Sequence, residues 1–261
     1  MDNAIITTGR KNQSKSAELA KEFSSKLNVP FVERQNISIH KLAELYKVKY
    51  VFIVKKNSLR LATANDEIFF HPSLAHLRIK NILNGEGDRL IEAMGLQRGM
   101  KVLDCTLGLG ADAIVESFVV GDEGNVTTLE ISPYLATIVE HGFQNFVDDN
   151  DNVINAMRRI KVINIDYLQF LKNAKDKSFD VIYFDPMFRH SLERSSSLKP
   201  IREIADHKAL SIEAIMEARR VAKFRIVLKE NAKSLEFARL GFNKICGGKY
   251  SPIHYGIIEI N

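Results

Sequence analysis

The pattern that most restricts the fold begins at Lys101, where short apolar runs start to alternate with stretches of helical spacing. The runs are Val102-Leu103, Val126–Leu129, Val162-Ile163, Val181–Phe184 and Ile226–Leu228. Strands that alternate with helices are typical of a parallel sheet with helices on both faces. Two further runs, Phe242–Cys246 and Ile253–Ile260, are separated by two glycines and a short loop, which predicts an antiparallel hairpin. We therefore predict an α/β fold in which a doubly wound, Rossmann-like sheet of five parallel strands ends in a hairpin.

The first hundred residues follow a different pattern, which is typical of a small α/β domain. Ala4–Thr8 and Tyr50–Val54 have the composition of strands, and Leu59–Ala62 follows the second of them after a short turn, as in a hairpin. The helix expected after Pro72 has a predicted apolar face of Leu74, Leu77, Ile82 and Leu83. We predict an N-terminal α/β domain over residues 1–95 and a larger domain over residues 96–261.

Cysteine usage and hydropathy exclude several classes of protein. Cys105 and Cys246 lie far apart and no CxxC pair occurs, so neither a disulfide framework nor a thiolate zinc site is expected. We predict no bound metal. No segment approaches the roughly 18 uninterrupted apolar residues of a membrane span. These features predict a cytoplasmic protein without a membrane partner.

Acidic residues follow the first three apolar runs, at the positions where open parallel sheets bind ligands. Asp104 ends the first run and precedes Gly108 and Gly110, whose missing Cβ atoms let a ligand approach the backbone. Glu130 ends the second run, where a carboxylate can accept hydrogen bonds from both hydroxyls of a ribose. Asp166, after the third run, can accept from the amine of an adenine, although taken alone it is a typical helix N-cap. Together these acids predict a site for an adenosine-type ligand.

The segment after the fourth run carries the most specific chemistry. Asp185 and a neighbouring carbonyl can accept both hydrogens of a planar group's amine, which leaves the nitrogen lone pair available for reaction. Phe188 can stack on the ring that bears this amine, and Pro186 stiffens the backbone between them. A plain turn, with Asp185 as its cap, accounts for the same residues. The acids at the upstream strand ends favour the amine site.

The distribution of charge favours a polyanionic partner. Residues 1–100 contain 16 basic and 10 acidic side chains, and the rest of the chain is nearly balanced. The segment after Phe188 is polar and basic, as expected for a substrate loop beside the site. The candidate phosphate contacts of this loop are Arg189, His190, Arg194 and Lys199. Lys229, at the end of the fifth run, is a further basic candidate on the substrate side. Charge alone leaves RNA open, because many basic proteins bind no nucleic acid.

These motifs resemble those of class I S-adenosylmethionine-dependent methyltransferases. The DPMF segment at 185–188 is similar to the (D/N)PP(Y/F) element of members that act on amines. More narrowly, DCTLGLGADA, YFDPMFRH, RIVLKEN and FFHPSLAHLRIK resemble segments of the bacterial small-subunit rRNA (guanine-N2) methyltransferase family. The likeness covers residues 66–261. Within it, Ala111 stands where Arg is usual, and Arg189 stands where a Pro follows DPMF.

The resemblance implies a seven-stranded methyltransferase fold in residues 96–261, with residues 1–95 on the substrate side and S-adenosyl-L-methionine as the cofactor. The predicted cofactor contacts are Asp104, Gly108, Gly110, Asp112, Glu130, Ile131, Asp166, Tyr167 and Asp185. The residues predicted to act on the acceptor are Asp185, Pro186 and Phe188. The implied substrate is an exocyclic amine of a nucleobase in RNA, guanine N2 of small-subunit rRNA, with the rRNA or a ribosomal particle as partner.

Other functions stay open from the sequence. The same cofactor can serve a methyltransferase whose acceptor is a protein side chain or a small metabolite. An RNA-binding module without catalytic activity would keep the basic segments and the fold. A nicotinamide dehydrogenase is disfavoured, because Asp104 would lie beside the cofactor's pyrophosphate and because a dehydrogenase has no need of the DPMF segment.

Overall fold

The computed structural model describes residues 3–10, 14–56, 58–63, 66–186 and 208–260. These residues form two compact units. One unit contains the described residues up to His71 together with Thr137–Val147, and the other contains the remaining described residues from Pro72 onward. Because compactness does not by itself define a functional domain, the division predicted between residues 95 and 96 stays a prediction.

The first unit is built on a four-stranded sheet. Its strands are β1 (Ala4–Thr8), β2 (Tyr50–Lys55), β3 (Ser58–Ala62) and β4 (Glu67–Phe69), and they lie in that order. β1 pairs in parallel with β2, and the other neighbours are antiparallel. Helices α1 (Ser14–Leu27) and α2 (Ile39–Tyr46) follow β1 along the chain. Leu42 of α2 packs against Ile5, Val51 and Ile53 in the core, because alternate side chains of a strand point to one face.

The second unit is built on a seven-stranded sheet. Its strands are β5 (Lys101–Asp104), β6 (Asn125–Glu130), β7 (Lys161–Asn164), β8 (Phe179–Phe184), β9 (Ala222–Asn231), β10 (Lys244–Gly247) and β11 (Ile253–Glu259). They lie in the order β10-β11-β9-β8-β5-β6-β7. β5 to β9 are parallel, and β11 is antiparallel to both of its neighbours. The predicted doubly wound sheet of five parallel strands with a terminal hairpin is confirmed.

Helices connect the strands of the second unit. They are α3 (Ser73–Leu83), α4 (Arg89–Met94), α5 (Ala111–Val120), α6 (Pro133–Asn145), α7 (Asp151–Arg159), α8 (Tyr167–Asn173), α9 (Ile212–Val221) and α10 (Glu236–Arg239), of which α6 extends into the first unit. Polar side chains fix several helix starts by accepting hydrogen bonds from free backbone N–H groups. Asp88 caps α4, Asp166 caps α8 and Ser211 caps α9. The order of strands reverses beside β5, which makes the carboxyl ends of β5 and β8 the expected ligand crevice.

The predicted apolar face of α3 is wrong. Leu74 and Leu77 are 67% and 58% exposed, and Leu83 is also exposed. The helix instead buries Ala75 and Ile79, which lie one turn apart, and it packs against α5. A small side chain such as Ala75 lets two helices approach closely, so counting the large apolar residues identified the wrong face.

Two negative findings concern the described residues. No helix among them is long and apolar enough to cross a membrane. Their His, Cys, Asp and Glu side chains form no group of three or more that could hold a metal ion.

Candidate active site

Strand ends bring the first acids of the site to one edge of the sheet. Asp104, the last residue of β5, pairs with Tyr183 of β8 and Thr128 of β6. Asp185 follows the end of β8, and its backbone N–H donates a 2.6 Å hydrogen bond to the Thr106 hydroxyl. Thr106 in turn donates from its own N–H to Asp104 Oδ1, at 2.9 Å. Thr106 therefore links the two strand ends.

Lys229 joins two carboxylates that are far apart in the sequence. Its Nζ atom lies 2.7 Å from Asp185 Oδ2 and 2.9 Å from Asp112 Oδ2. The Tyr183 hydroxyl donates a 2.9 Å hydrogen bond to the same oxygen of Asp112. The sequence predicts a substrate contact for Lys229, and that role stays a prediction. Its observed partners are the acids of the site.

Arg78 extends this network from α3. Its guanidinium forms a two-pronged ion pair with Asp88, at 2.7 and 2.9 Å, and a further ion pair with Asp112. His76 lies on another side of the same helix, 3.1 Å from Asp148, because residues two apart on a helix point about 200° away from each other. We call the six connected side chains the ionic cluster: Arg78, Asp88, Asp112, Tyr183, Asp185 and Lys229.

Burial and ion pairing compete in the ionic cluster. Burial alone would raise the pKa of Asp112, but the charges of Lys229 and Arg78 outweigh it and hold that pKa well below its usual value. Among the described residues Asp185 is paired with one cation, Lys229, and burial keeps its pKa above the usual value. Burial raises the pKa of Asp104 to about 7. The site thus contains acids of very different strength, a property that is common at functional sites.

Glu116 is a buried acid beside the ionic cluster that the sequence analysis missed. It lies on α5, one turn after Asp112, and it is fully buried. Neither of its carboxyl oxygens has a hydrogen-bond partner among the described residues. Burial raises its pKa well above the usual value, and repulsion from Asp104 and Asp112 raises it further. The fold therefore favours the neutral acid.

We expect Glu116→Gln to flatten the pH dependence of stability. The folded-state pKa of Glu116 is raised, so its contribution is fully present below the unfolded pKa and is lost as the pH rises towards the folded pKa. Relative to wild type, the variant should gain up to about 1.4 kcal/mol of unfolding free energy per pH unit. Urea unfolding between pH 5 and 8 measures this, with the exposed Glu123→Gln as control. Parallel profiles for wild type and Glu116→Gln would contradict the buried neutral acid.

The turn after β5 has the backbone that its glycines predict. Gly108 and Gly110 have φ angles of +54° and +78°, in the left-handed region that favours glycine. A Cβ atom on Gly108 would find no atom closer than 3.9 Å, so the space above it is open to a ligand. Gly110 directly precedes α5, which carries Asp112 in its first turn.

Glu130 and its neighbours lie at the adjoining strand ends. Glu130 is 8% exposed, and its Oε1 atom accepts a 2.9 Å hydrogen bond from Ser132 N–H.

The end of the next strand carries Asp166, which caps α8 and accepts a 3.0 Å hydrogen bond from Gln169 N–H. The Tyr167 ring lies edge-on to Phe184, with 5.8 Å between centroids, and Ile131 is 37% exposed. Contacts of these residues with a cofactor stay predictions.

Several predicted residues lie outside the described part of the chain. They are Phe188, Arg189, His190, Arg194 and Lys199. Pro186 is described and is partly buried. Conversely, the sequence predicts no role in the site for Asp88, Thr106 or Tyr183. The strand β8 offered one signal, because Tyr183 is the one polar-tipped residue of the run Val181–Phe184 and lies two positions before Asp185.

Comparison with known proteins identifies the family. Residues 35–244 match a family model described as "Putative SAM-dependent methyltransferase". "Uncharacterized protein YpiP" of Bacillus subtilis is 36% identical over 256 residues, which cover 98% of this chain and 99% of that protein. "Ribosomal RNA small subunit methyltransferase J" of Dechloromonas aromatica is 32% identical over 64% of this chain and 67% of that protein.

A solved structure has the same fold. The SAM-dependent methyltransferase NGO1261 from Neisseria gonorrhoeae superposes with a TM-score of 0.66 and covers 97% of this chain and 95% of its own. Only 15% of the aligned residues are identical, so the likeness concerns the fold. The order of the seven strands is therefore that of a known methyltransferase architecture.

The charge of the ionic cluster fits S-adenosyl-L-methionine, the cofactor of this family. That molecule carries a sulfonium and an ammonium group against one carboxylate. Three carboxylates of the cluster face two cations, Arg78 and Lys229, which leaves negative charge for a cationic ligand. The open space above Gly108 also gives such a ligand access to the backbone. From the family match, the strand order and this site, the chain belongs to the SAM-dependent methyltransferases, with S-adenosyl-L-methionine as its cofactor.

Proposed function

We propose that this protein transfers a methyl group from S-adenosyl-L-methionine to an exocyclic amine of a nucleobase in RNA, with guanine N2 of small-subunit rRNA as the target. The observation that carries the proposal is the position of Asp185. Its carboxylate is fixed by Lys229, its backbone N–H is bound to Thr106, and Pro186 follows it at the reversal point of the sheet. A carboxylate that is held in one orientation can accept a hydrogen bond from the amine of a planar base.

The cofactor supplies an electrophilic methyl group. The chain's own contribution is alignment, because methyl transfer from the sulfonium sulfur to an amine nitrogen requires nitrogen, carbon and sulfur to lie in line. In our proposal Asp185 accepts one hydrogen of the amine and turns the nitrogen lone pair towards the methyl group. Lys229 and Thr106 keep Asp185 in that orientation. With the cofactor bound, the N–C bond would form as the S–C bond breaks, S-adenosyl-L-homocysteine would be the leaving group, and the amine would then lose one proton to water.

The choice of RNA rests on two supporting facts. Relatives that are 28–32% identical to this chain carry the name "Ribosomal RNA small subunit methyltransferase J". The first hundred residues also carry an excess of basic side chains, which suits a polyanionic substrate. We propose Arg189, His190, Arg194 and Lys199 as phosphate contacts and Phe188 as a stacking partner of the target base. A ribosomal particle is an alternative form of the same substrate, and we propose that the reaction takes place in the cytoplasm.

Nucleoside analysis tests the proposed function. The protein is incubated with labelled S-adenosyl-L-methionine and one of three acceptors: small-subunit rRNA transcribed in vitro, assembled small ribosomal subunits, or total cell protein. N2-methylguanosine in the digested RNA, identified by mass spectrometry, is the expected product. Label in protein alone, or in another position of the RNA, would contradict the proposal.

We expect Glu130→Ala to weaken cofactor binding by about 1–3 kcal/mol, the usual effect of losing a hydrogen bond to a charged group. The proposed reason is that the Glu130 carboxylate accepts hydrogen bonds from the ribose of the cofactor. Calorimetric titration with S-adenosyl-L-homocysteine measures the dissociation constant. Glu123→Ala, an exposed acid elsewhere in the unit, is the control. An unchanged dissociation constant for Glu130→Ala would show that the ribose binds elsewhere.

A further inference from the structure

The loop between β10 and β11 lies at the same edge of the sheet as the ionic cluster. β11 runs antiparallel to β9, and Ile253 pairs with Asn231 at the carboxyl end of β9. The loop at 248–252 therefore lies at the edge where the parallel strands end. Two residues further along β11, Tyr255 pairs with Lys229, which contacts Asp185. The loop is thus only a few residues away, along β11, from the partner of Lys229.

A second contact ties this loop to the site from α4. A Cβ atom on Gly248 would lie 2.4 Å from the guanidinium of Arg89, so the Arg89 side chain packs directly on the glycine backbone. Arg89 follows Asp88, which belongs to the ionic cluster. The His254 ring packs in the same way on Gly247. The two glycines therefore allow this close approach of cationic and aromatic side chains to the loop.

The loop is held in shape and presents an aromatic ring to solvent. Ser251 N–H donates to Gly248 O, and Ala232 N–H donates to Pro252 O, each at 2.9 Å. Tyr250, between these anchors, is 89% exposed. The Nζ atom of Lys249 lies 5.5 Å from the centre of the Tyr250 ring. An exposed aromatic ring on an anchored loop loses little entropy when another flat ring stacks on it.

The hairpin contributes positive charge, and no negative charge, to this surface. No Asp or Glu occurs between Glu236 and Glu259 in the sequence. Arg89 and Lys249 are exposed, and neither forms an ion pair with a described residue. Positive charge next to an exposed aromatic ring is the combination by which proteins bind single-stranded nucleic acid. Lys249 beside the Tyr250 ring and Arg89 on Gly248 suit a polyanion with flat bases better than a protein partner.

We propose that Arg89, Lys249 and Tyr250 form a contact surface for single-stranded RNA, in which Tyr250 stacks on a base that flanks the target and the two cations bind phosphates. The inference rests on the proposed function and adds to it a substrate contact outside the DPMF segment. Tyr250 and Tyr255 are five positions apart, which corresponds to at most about 17 Å of extended chain. A short single strand whose target base is at Asp185 can extend over this distance.

Direct RNA binding tests the stacking contact. The probe is a fluorescein-labelled single-stranded RNA oligonucleotide, and its anisotropy gives the dissociation constant. We expect Tyr250→Ala to weaken binding about tenfold and Tyr250→Phe to bind as wild type does, because stacking needs the ring and not the hydroxyl. Phe224→Ala is the matched control, since Phe224 is 53% exposed at the opposite end of β9. Equal binding by Tyr250→Ala and wild type would overturn the inference.

Salt dependence tests the cations separately. The double variant Arg89→Gln/Lys249→Gln should lower the slope of log Kd against log salt by about 1.4, because each phosphate contact on a single strand contributes about 0.7. Lys101→Gln, an exposed cation at the amino end of β5, should leave the slope unchanged. An unchanged slope in the double variant would refute the phosphate contacts. Calorimetric binding of S-adenosyl-L-homocysteine verifies that every variant is folded.

Failure of this inference is distinguishable from failure of the proposed function. Wild type that methylates RNA, together with Tyr250→Ala of unchanged RNA affinity, overturns only the contact surface. Wild type that binds RNA through Tyr250 but transfers no methyl to it overturns only the proposed reaction. Wild type that neither binds nor methylates RNA, and methylates a protein instead, overturns both.

Discussion

Replacing Asp185 with alanine is expected to lower kcat by at least about 100-fold, while the dissociation constant of S-adenosyl-L-homocysteine changes far less. The reason is that Asp185 is proposed to orient the amine, and a misplacement of about 1 Å between reacting groups can cost a factor of about 100. The measurement is the initial rate of methyl transfer to RNA at saturating cofactor. A near-normal rate in Asp185→Ala would remove the orienting role.

The ionic cluster makes this variant interpretable. When Asp185 is absent, Lys229 keeps its ion pair with Asp112 at 2.9 Å, so no buried cation is left without a partner. We therefore expect Asp185→Ala to remain folded, which its thermal unfolding curve verifies. A loss of rate in a folded protein that still binds S-adenosyl-L-homocysteine is a loss of chemistry.

Asp185→Asn separates hydrogen bonding from charge. The amide oxygen of asparagine can accept a hydrogen from the amine, but the side chain has no negative charge. If acceptance is what matters, Asp185→Asn should retain clearly more activity than Asp185→Ala. Equal activity of the two variants would assign the effect to the charge of Asp185, and hence to its pairing with Lys229.

The sheet and the acids at its strand ends were predictable because both depend on local sequence. A buried parallel strand requires a short apolar run, and a residue that follows the run must lie at the sheet edge. Asp104, Glu130 and Asp185 were identified in this way. The hairpin was equally predictable, because the pair of glycines at 247–248 marks its turn.

The ionic cluster was only partly predictable because its contacts are distant in the sequence. Asp112 and Lys229 are 117 positions apart, and no local pattern determines that they meet. Arg78 belongs to a helix whose buried face was assigned wrongly, so its direction could not be derived. Glu116 was missed for the opposite reason. A glutamate within a helix usually lies on the face that contacts solvent. Glu116 is fully buried, which the sequence pattern does not indicate.

Lys229→Met is expected to destabilise the protein by about 3–5 kcal/mol, the range found when one partner of a buried ion pair is removed. Asp112 would keep its ion pair with Arg78, but Asp185 would lose its ion pair with Lys229. Burial already raises the pKa of Asp185, and without Lys229 that pKa would rise further above the unfolded value. The stability of the variant should therefore be retained below the unfolded pKa and fall as the pH rises. The difference from wild type should be larger at pH 8 than at pH 5.

Two further variants isolate the cause of that loss. Adding Asp185→Asn to Lys229→Met removes the unpaired charge, so the double variant should regain part of the stability at pH 8 and lose most of the pH dependence. Lys244→Met, in the neighbouring hairpin, breaks a pair with Glu259 in which both side chains are more than half exposed, and it should cost at most about 1 kcal/mol. Urea unfolding measures all three. If Lys229→Met costs no more than Lys244→Met, the two acids do not need their shared cation, and the geometry proposed for Asp185 loses its support.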